Sequence, residues 1–246
     1  LELISHFGVG YDSIDIAAAR QRNIMVTNTP DVLNDCVADT AMSLVLNVMR
    51  QYPQSENWLR AGKWLAAPAY PLTVALGGKT LGILGLGRIG EAIAKRAQAF
   101  GMKIAYHNRN RKDVPYPYYA DPVALAKHCD VLLVAAPGGA ETKNIVNAAV
   151  LDALGPKGFL VNIARGSLVD EPALIRYLQE KRIAGAGLDV FVKEPQVPPA
   201  LFALENAVIY PHVGSATTET RTAMGNLQLE NLRLYFAGKP LKTRVV

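Results

Sequence analysis

Short apolar runs alternate with longer amphipathic segments through the last two thirds of the chain. The apolar runs predict buried strands at residues 81–84, 102–106, 131–135, 159–163, 186–188 and 208–210. Apolar residues at helical spacing predict helices at 88–100, 122–128, 147–154 and 172–181, and a long final helix at 217–237. This alternation is typical of an α/β fold in which helices cover a parallel sheet.

The beginning of the chain predicts a smaller strand–helix–strand unit. An apolar strand is followed by a glycine-rich turn at 7–11, an alanine-rich helix from about Ser13 and a second strand at 24–27. Because one such unit cannot bury both faces of its sheet, it needs packing partners from elsewhere in the chain.

A long helix with an apolar stripe is predicted next. Asn34 or Asp35 is expected to cap its N-terminus, and Pro53 is expected to kink it. The segment AAPAYPLT at 66–73, rich in proline and alanine, predicts an extended connector.

The segment LGILGLGRIG at 81–90 has three glycines in G-x-G-x-x-G spacing between a predicted strand and a predicted helix. Gly85 permits the tight turn, Gly87 removes a side chain where a pyrophosphate must approach the backbone, and Gly90 lets the helix pack on the strand. The amides at the start of the helix then face the anion. A glycine-rich turn alone is weak evidence, but a second strand follows at the right distance, and together they predict a dinucleotide site.

Three polar side chains follow late strands, where open α/β sheets place their ligands: Arg165, Glu194 and His212. Taken singly, each has a plain alternative, namely a surface ion pair for the arginine, a solvated loop for the glutamate and a capped turn for the histidine. Together they suit acid/base chemistry on a carboxylate substrate. A carboxylate can hold one imidazole nitrogen while the other exchanges a proton, and a guanidinium binds a carboxylate with a planar fork.

Composition and charge narrow the class of protein. With 246 residues, half of them apolar, the chain can form one large domain or two small ones. The net charge of +5 comes from scattered basic residues without a long like-charge run, so we expect no nucleic-acid partner. No apolar stretch is long enough for a membrane span and no signal-peptide pattern is present, so we expect no membrane partner. Two cysteines without a Cys/His cluster indicate reduced thiols, a cytoplasmic location and no metal site.

Four segments, GLGRIG, VNIARGSLVDEPAL, GAGLDVFVKEP and PHVGSAT, resemble in order and spacing the signatures of the D-isomer-specific 2-hydroxyacid dehydrogenases. The resemblance covers nearly the whole chain. It implies a Rossmann-type doubly wound parallel sheet as a dinucleotide-binding domain at 28–213, with a smaller flavodoxin-like substrate domain at 1–27 and 214–246. Because family members have several dozen residues before the equivalent of Leu1, we expect a longer protein, of which the substrate domain here is incomplete.

The resemblance also implies roles for particular residues. Arg165 binds the 2-oxo acid, Glu194 pairs with the catalytic histidine, and His212 donates the proton in reduction. The loop FGVGYD matches the family as well. The amides of Val9 and Gly10 are therefore the implied ligands of the substrate carboxylate.

The implied dinucleotide contacts extend well beyond the glycine turn. Thr40 and Asp189 occupy positions that approach the nicotinamide in the family. The complete set of implied contacts is Thr40, Gly85, Leu86, Gly87, Arg88, Ile89, Gly90, Asn108, Arg109, Arg111, Ala136, Pro137, Thr142, Ile163, Ala164, Asp189, His212 and Gly214.

The nucleotide preference is predicted where the second strand of the glycine unit ends, in the segment YHNRNRK. NAD-preferring relatives carry an acidic residue there, and this chain has Asn108. Without that carboxylate nothing repels a 2′-phosphate, and Arg109 and Arg111 can form charge-assisted hydrogen bonds to it, each worth about 1.5 to 3 kcal/mol. We therefore predict NADP(H) over NAD(H), with a solvated basic loop as the alternative.

The predicted reaction is reduction of a small 2-oxo acid to the D-2-hydroxy acid. Glyoxylate and hydroxypyruvate are the expected substrates, because YHNRNRK resembles the same segment of glyoxylate/hydroxypyruvate reductases. D-Lactate-like or branched 2-oxo acids and 3-phosphoglycerate are alternatives within the same chemistry. A different class also stays open, since the family includes transcriptional corepressors that use the fold as a nucleotide-dependent binding module.

A further amphipathic turn carries Trp58, Leu59 and Trp64. Aromatic side chains are enriched in interfaces, and we interpret both tryptophans as packing or interface residues rather than substrate contacts. In the family the helix that carries them lies at a two-fold interface. The resemblance therefore implies a homodimer.

Overall fold

The computed structural model describes residues 1–66 and 69–246. The chain forms two compact units, a smaller one of Leu1–Val37 with Ser215–Val246 and a larger one of Ala38–Gly214. No helix in the described part of the chain is long and apolar enough to cross a membrane.

The strands are β1 (Leu3–Ser5), β2 (Met25–Thr27), β3 (Thr80–Leu84), β4 (Lys103–His107), β5 (Val131–Val134), β6 (Phe159–Asn162), β7 (Gly185–Leu188) and β8 (Ala207–Ile209). The helices are α1 (Ile16–Gln21), α2 (Asn34–Arg50), α3 (Tyr52–Arg60), α4 (Arg88–Ala99), α5 (Pro122–Lys127), α6 (Ala148–Leu154), α7 (Glu171–Gln179), α8 (Pro199–Phe202) and α9 (Thr218–Phe236). Short 3₁₀ turns occur at Lys63–Leu65, Ala140–Thr142 and Gly166–Leu168.

The larger unit is built on a six-stranded parallel sheet with the order β4-β3-β5-β6-β7-β8. After β3 the chain first adds β4 on one side and then places β5 on the other, so the strand order reverses between β3 and β5. In open α/β sheets a ligand binds outside the carboxyl ends of the strands at such a switch point. The predicted doubly wound fold is thus confirmed.

The core of the larger unit explains why its strands are apolar throughout. Every residue of β5 and of β6 is buried, because helices cover both faces of a parallel sheet. Helices α5, α6 and α7 contribute Leu125, Leu151 and Leu174 to the same buried cluster. All six predicted strands of this unit are present, and their ends differ from the prediction by at most one residue.

Two details of the region between residues 34 and 53 differ from the prediction. Helix α2 begins at Asn34 itself, whose Nδ2 donates to Asp31 Oδ1 (3.4 Å), so neither Asn34 nor Asp35 is the N-cap. Pro53 does not kink α2, which ends at Arg50. Gln51 has φ of 52° and breaks the helix, and Pro53 lies in the first turn of α3, where its missing N–H is not needed.

The predicted connector spans residues 66–73. Ala67 and Pro68 lie outside the described residues, and 69–73 carries no helix or strand.

The smaller unit combines both ends of the chain. Strand β1 pairs in parallel with β2. On its other side β2 meets the last residues of the chain, since Val245 N–H donates to Val26 O (2.7 Å) and Val26 N–H donates to Val246 O (3.2 Å). Helix α9 begins after Thr217, whose hydroxyl caps it by accepting from Thr220 N–H.

Candidate active site

Polar residues follow three neighbouring strands of the large sheet. Arg165 comes after β6, Asp189 directly after β7 and His212 after β8. Because the carboxyl ends of parallel strands meet at one edge of the sheet, these residues belong to the same edge. The glycine turn after β3 ends at this edge too.

Glu194 and His212 form the central contact of the site. His212 Nδ1 lies 2.7 Å from Glu194 Oε2, and the other carboxylate oxygen, Oε1, accepts from Phe191 N–H at 2.9 Å. The carboxylate is therefore held by a backbone amide of its own loop as well as by the histidine ring. The His212 side chain is 46% exposed, which leaves the ring accessible to a ligand and to solvent.

Asp189 holds the backbone that carries His212. Its carboxylate is buried and accepts from the amides of Val213 and Gly214, each at 2.8 Å, and its carbonyl accepts from His212 N–H at 2.9 Å. Burial raises the pKa of the Asp189 carboxyl, although the two amides and the nearby His212 ring act in the opposite direction. These three hydrogen bonds stabilise His212 at φ of 54°, in the left-handed region.

The turn that presents Arg165 is fixed by a residue that the sequence analysis missed. Asn162 is buried at the end of β6; its Oδ1 accepts from Ala164 N–H (3.0 Å) and its Nδ2 donates to Arg165 O (2.9 Å). A Cβ on the next residue, Gly166, would lie 2.0 Å from the carbonyl carbon of Phe191. The Arg165 turn therefore packs directly on the loop that holds Glu194. The signal in the sequence was one polar residue in an apolar strand.

The glycine turn has the shape that a pyrophosphate requires. Gly85 has φ of 104°, and a Cβ there would lie 2.5 Å from Ala136 N, at the end of β5. A Cβ on Gly90 would lie 2.5 Å from Gly85 O, so helix and turn are in contact. At Gly87, by contrast, a Cβ would meet no described atom within 4 Å, and this residue caps α4 without a side-chain hydrogen bond. Open space beside a helix N-terminus fits a dinucleotide.

Asn108 holds the same turn from the neighbouring strand. Its Oδ1 accepts from Leu86 N–H (2.6 Å) and its Nδ2 donates to Leu86 O (3.3 Å). A carboxylate at this position could make only the first of these bonds. Arg109 is exposed and pairs with Glu141 Oε2 at 3.2 Å, and Arg111 is exposed as well.

The other residues of the larger unit that we expected near a dinucleotide lie around these two centres. Thr40 Oγ1 donates to Gly214 O (3.4 Å), next to the bonds made by Asp189. Thr142 Oγ1 donates to Pro137 O (2.7 Å) in the loop after β5. Ile163 is buried after β6. Arg88 and Ile89 are the first two residues of α4.

Val9 and Gly10 belong to the smaller unit, in the loop after β1. Val9 O accepts from Asn28 Nδ2 (2.9 Å) and Gly10 O accepts from His6 Nε2 (2.8 Å). Among residues 1–66 and 69–246, no group of three or more His, Cys, Asp or Glu side chains is placed to hold a metal ion.

Comparison with known proteins identifies the family. Residues 42–214 match the model of the D-isomer-specific 2-hydroxyacid dehydrogenase NAD-binding domain. The chain is 50% identical to a hydroxyphenylpyruvate reductase of Plectranthus scutellarioides and 51% identical to glyoxylate/hydroxypyruvate reductase A of Arabidopsis thaliana, covering all of this chain and 79% of each relative. The solved structure of an NADPH-dependent glyoxylate/hydroxypyruvate reductase from Sinorhizobium meliloti, in complex with NADP and malonate, is 51% identical with a TM-score of 0.96, covering 100% of this chain and 78% of that one. The chain therefore belongs to the D-isomer-specific 2-hydroxyacid dehydrogenase family.

Proposed function

We propose that this oxidoreductase uses NADPH to reduce a small 2-oxo acid to the 2-hydroxy acid: glyoxylate to the achiral glycolate, or hydroxypyruvate to D-glycerate. The observation that carries the proposal is the 2.7 Å contact between Glu194 Oε2 and His212 Nδ1. Reduction of a carbonyl group to an alcohol requires one proton for each hydride, and a histidine held by a carboxylate is suited to supply it. The substrates named are those of the Arabidopsis and Sinorhizobium relatives.

The structure supports a defined route for the proton. Because Glu194 accepts from Nδ1, the proton that His212 transfers is the one on Nε2. Two further hydrogen bonds hold the ring and the carboxylate in contact: His212 N–H donates to Asp189 O, and Phe191 N–H donates to Glu194. His212 gives its proton to the carbonyl oxygen of the 2-oxo acid and recovers one from solvent, to which its ring is open.

The glycine turn and Arg165 hold the two reactants. The backbone at Gly87 and the first turn of α4 receive the pyrophosphate. When bound, the reduced nicotinamide supplies a hydride to the keto carbon. Arg165, placed by Asn162, binds the substrate carboxylate and polarises the adjacent carbonyl.

The preference for NADPH follows from the end of β4. The Asn108 side-chain amide hydrogen-bonds to the backbone of Leu86 and carries no negative charge, so this side chain does not repel a 2′-phosphate. Arg109 and Glu141 are more than four-fifths exposed, and such a pair is worth at most about 1 kcal/mol. Arg109 can therefore exchange Glu141 for a phosphate, and exposed Arg111 adds a second charge.

The two units have separate tasks in this proposal. The larger unit, Ala38–Gly214, binds the dinucleotide, and the smaller unit binds the substrate carboxylate through the Val9 and Gly10 amides.

The protein acts as a homodimer through the segment around α3. Trp64 is 61% exposed and Leu65 is 97% exposed, which is unusual for apolar side chains on one short segment. Beside α2 lies a groove of about 350 Å³ lined partly by Met42, Leu46 and Phe100. A second copy of the chain would cover these surfaces in a two-fold arrangement.

Steady-state kinetics with NADPH and NADH in parallel test the function. The substrates are glyoxylate, hydroxypyruvate, pyruvate and hydroxyphenylpyruvate, the last because of the Plectranthus relative. We expect the highest kcat/KM for glyoxylate or hydroxypyruvate with NADPH. Equal or better values with NADH would contradict the nucleotide preference. If hydroxyphenylpyruvate is the best substrate, the proposed substrates are wrong. Nucleotide binding without turnover of any acid would instead support a corepressor-like binding module.

A further inference from the structure

Hydrogen bonds to consecutive carbonyl oxygens hold the loop after β1. Three consecutive carbonyls have identified donors: Gly8 O accepts from Thr29 N–H (2.9 Å), Val9 O from Asn28 Nδ2 (2.9 Å) and Gly10 O from His6 Nε2 (2.8 Å). All of these groups lie in the smaller unit. Consecutive peptide planes of this loop are thus fixed one by one.

Fixing a carbonyl also fixes the next amide. In a planar trans peptide, the C=O of one residue and the N–H of the following residue point in opposite directions. The bond to Gly8 O therefore sets the direction of the Val9 amide, and the bond to Val9 O sets that of the Gly10 amide. Of the two side chains, Asn28 sets the Gly10 amide directly. His6 fixes the peptide plane between Gly10 and Tyr11 and so holds Gly10 from its other side.

Asn28 is itself anchored by the C-terminal segment. Its carbonyl accepts from Thr243 Oγ1 (2.6 Å), and Thr243 Oγ1 accepts from Asn231 Nδ2 (2.8 Å). Asn231 is fully buried in α9, and its Oδ1 accepts from the amides of Lys242 (2.9 Å) and Thr243 (3.2 Å). The end of the chain is thereby connected to the loop through Asn28.

We infer that Asn28 and His6 are positioning residues for the substrate carboxylate: Asn28 aims the Gly10 amide, and His6 holds the peptide plane that follows Gly10. The inference rests on the proposed function in that it takes this loop as the carboxylate site. Neither side chain takes part in proton or hydride transfer. Their loss should therefore weaken substrate binding and leave the chemical step intact.

Replacing the Asn28 donor tests the inference in the complete protein. For Asn28→Ala we expect KM for glyoxylate to rise about 10- to 100-fold, the loss expected for misdirected hydrogen bonds to a charged group. We expect kcat and the KM for NADPH to stay within about 2-fold. The matched control is Asn206→Ala, which also removes a side-chain bond to a backbone carbonyl, Leu178 O at 3.1 Å, but in the larger unit. Its substrate KM should not change.

Two substitutions of His6 separate positioning from a general effect on folding. His6→Phe keeps a ring of similar size but has no donor, and we expect it to raise the substrate KM. His6→Gln can place an amide donor near the position of Nε2, and we expect it to restore most of the affinity. Equal KM values for wild type, Asn28→Ala and His6→Phe would overturn the inference, as would a fall in kcat at unchanged KM.

Calorimetric binding of oxalate distinguishes this inference from the proposed function. Oxalate offers a carboxylate but no ketone to reduce, so its dissociation constant reports the loop without turnover. If the wild type reduces no 2-oxo acid but binds oxalate about 10-fold or more tightly than Asn28→Ala, the proposed function is wrong and the positioning role stands. Equal oxalate affinities in both proteins would refute the positioning role, whatever the activity.

Discussion

At the scale of single residues, the contact between the Glu194 and His212 side chains is supported by other side chains that hold the surrounding backbone. Asp189 accepts hydrogen bonds from two backbone amides of the His212 loop, and Asn162 forms hydrogen bonds with the backbone of Ala164 and Arg165. Such bonds hold the reactive groups within a few tenths of an ångström of the geometry that general acid catalysis requires. Glu194 is placed in the same way by Phe191 N–H.

The raised pKa of the buried Asp189 carboxyl predicts a pH dependence of stability. A carboxyl whose pKa is higher in the folded than in the unfolded protein contributes stability below its unfolded pKa, and this stability is lost as pH rises through the folded pKa. In the variant Asp189→Asn, the side-chain amide does not titrate. We therefore expect the free energy of unfolding of the wild type to fall relative to that of Asp189→Asn as pH rises from about 4 to 7.

Denaturant unfolding at several pH values measures this difference. A difference that rises with pH over the same range would mean that the amides of Val213 and Gly214 outweigh burial and that the folded pKa is lowered.

At the scale of elements, the turn between β3 and α4 contains glycines with two different roles, packing and ligand binding. A Cβ on Gly90 would lie 2.5 Å from Gly85 O, whereas a Cβ on Gly87 would meet no described atom within 4 Å. The same substitution should therefore affect different properties at two positions three residues apart.

We expect Gly90→Ala to lower the free energy of unfolding by about 1 to 3 kcal/mol, because helix and turn must separate. Gly87→Ala should unfold at the wild-type temperature but bind NADPH more weakly, because the methyl group occupies the space that the pyrophosphate needs. Thermal unfolding and a fluorescence titration with NADPH measure the two effects. An unstable Gly87→Ala, or one that binds NADPH like the wild type, would contradict this division of roles.

The sequence predicted the elements well because the strands of the large sheet are buried on both faces and are therefore apolar without interruption. It predicted Glu194 and His212 because their segments carry a family signature. It could not predict the hydrogen bonds of Asn162, Asn28 and Asn108 to the backbone. A single side chain that bonds to the backbone produces no periodic pattern in the sequence. Pro53 was misplaced because the left-handed Gln51 that precedes it has no clear sequence signal.

At the scale of the whole molecule, the exposed apolar segment around α3 predicts an assembly. Sedimentation velocity should give twice the mass of one chain for the wild type. Trp64→Asp places a charge on a side chain that is already 61% exposed, so it should not disturb the protomer but should favour monomers. Phe202→Asp, at a residue 64% exposed in α8, is the matched control and should remain dimeric. A monomeric wild type would refute the dimer.

In the proposed reaction, His212 supplies a proton while the rest of the chain holds the two reactants. The most direct test mixes a preformed complex of protein and NADPH with glyoxylate and follows the loss of the reduced nicotinamide in wild type and in His212→Asn. We predict that the variant binds NADPH as tightly as the wild type but reacts about 10²- to 10⁴-fold more slowly. A variant that consumes NADPH at the wild-type rate would contradict the account.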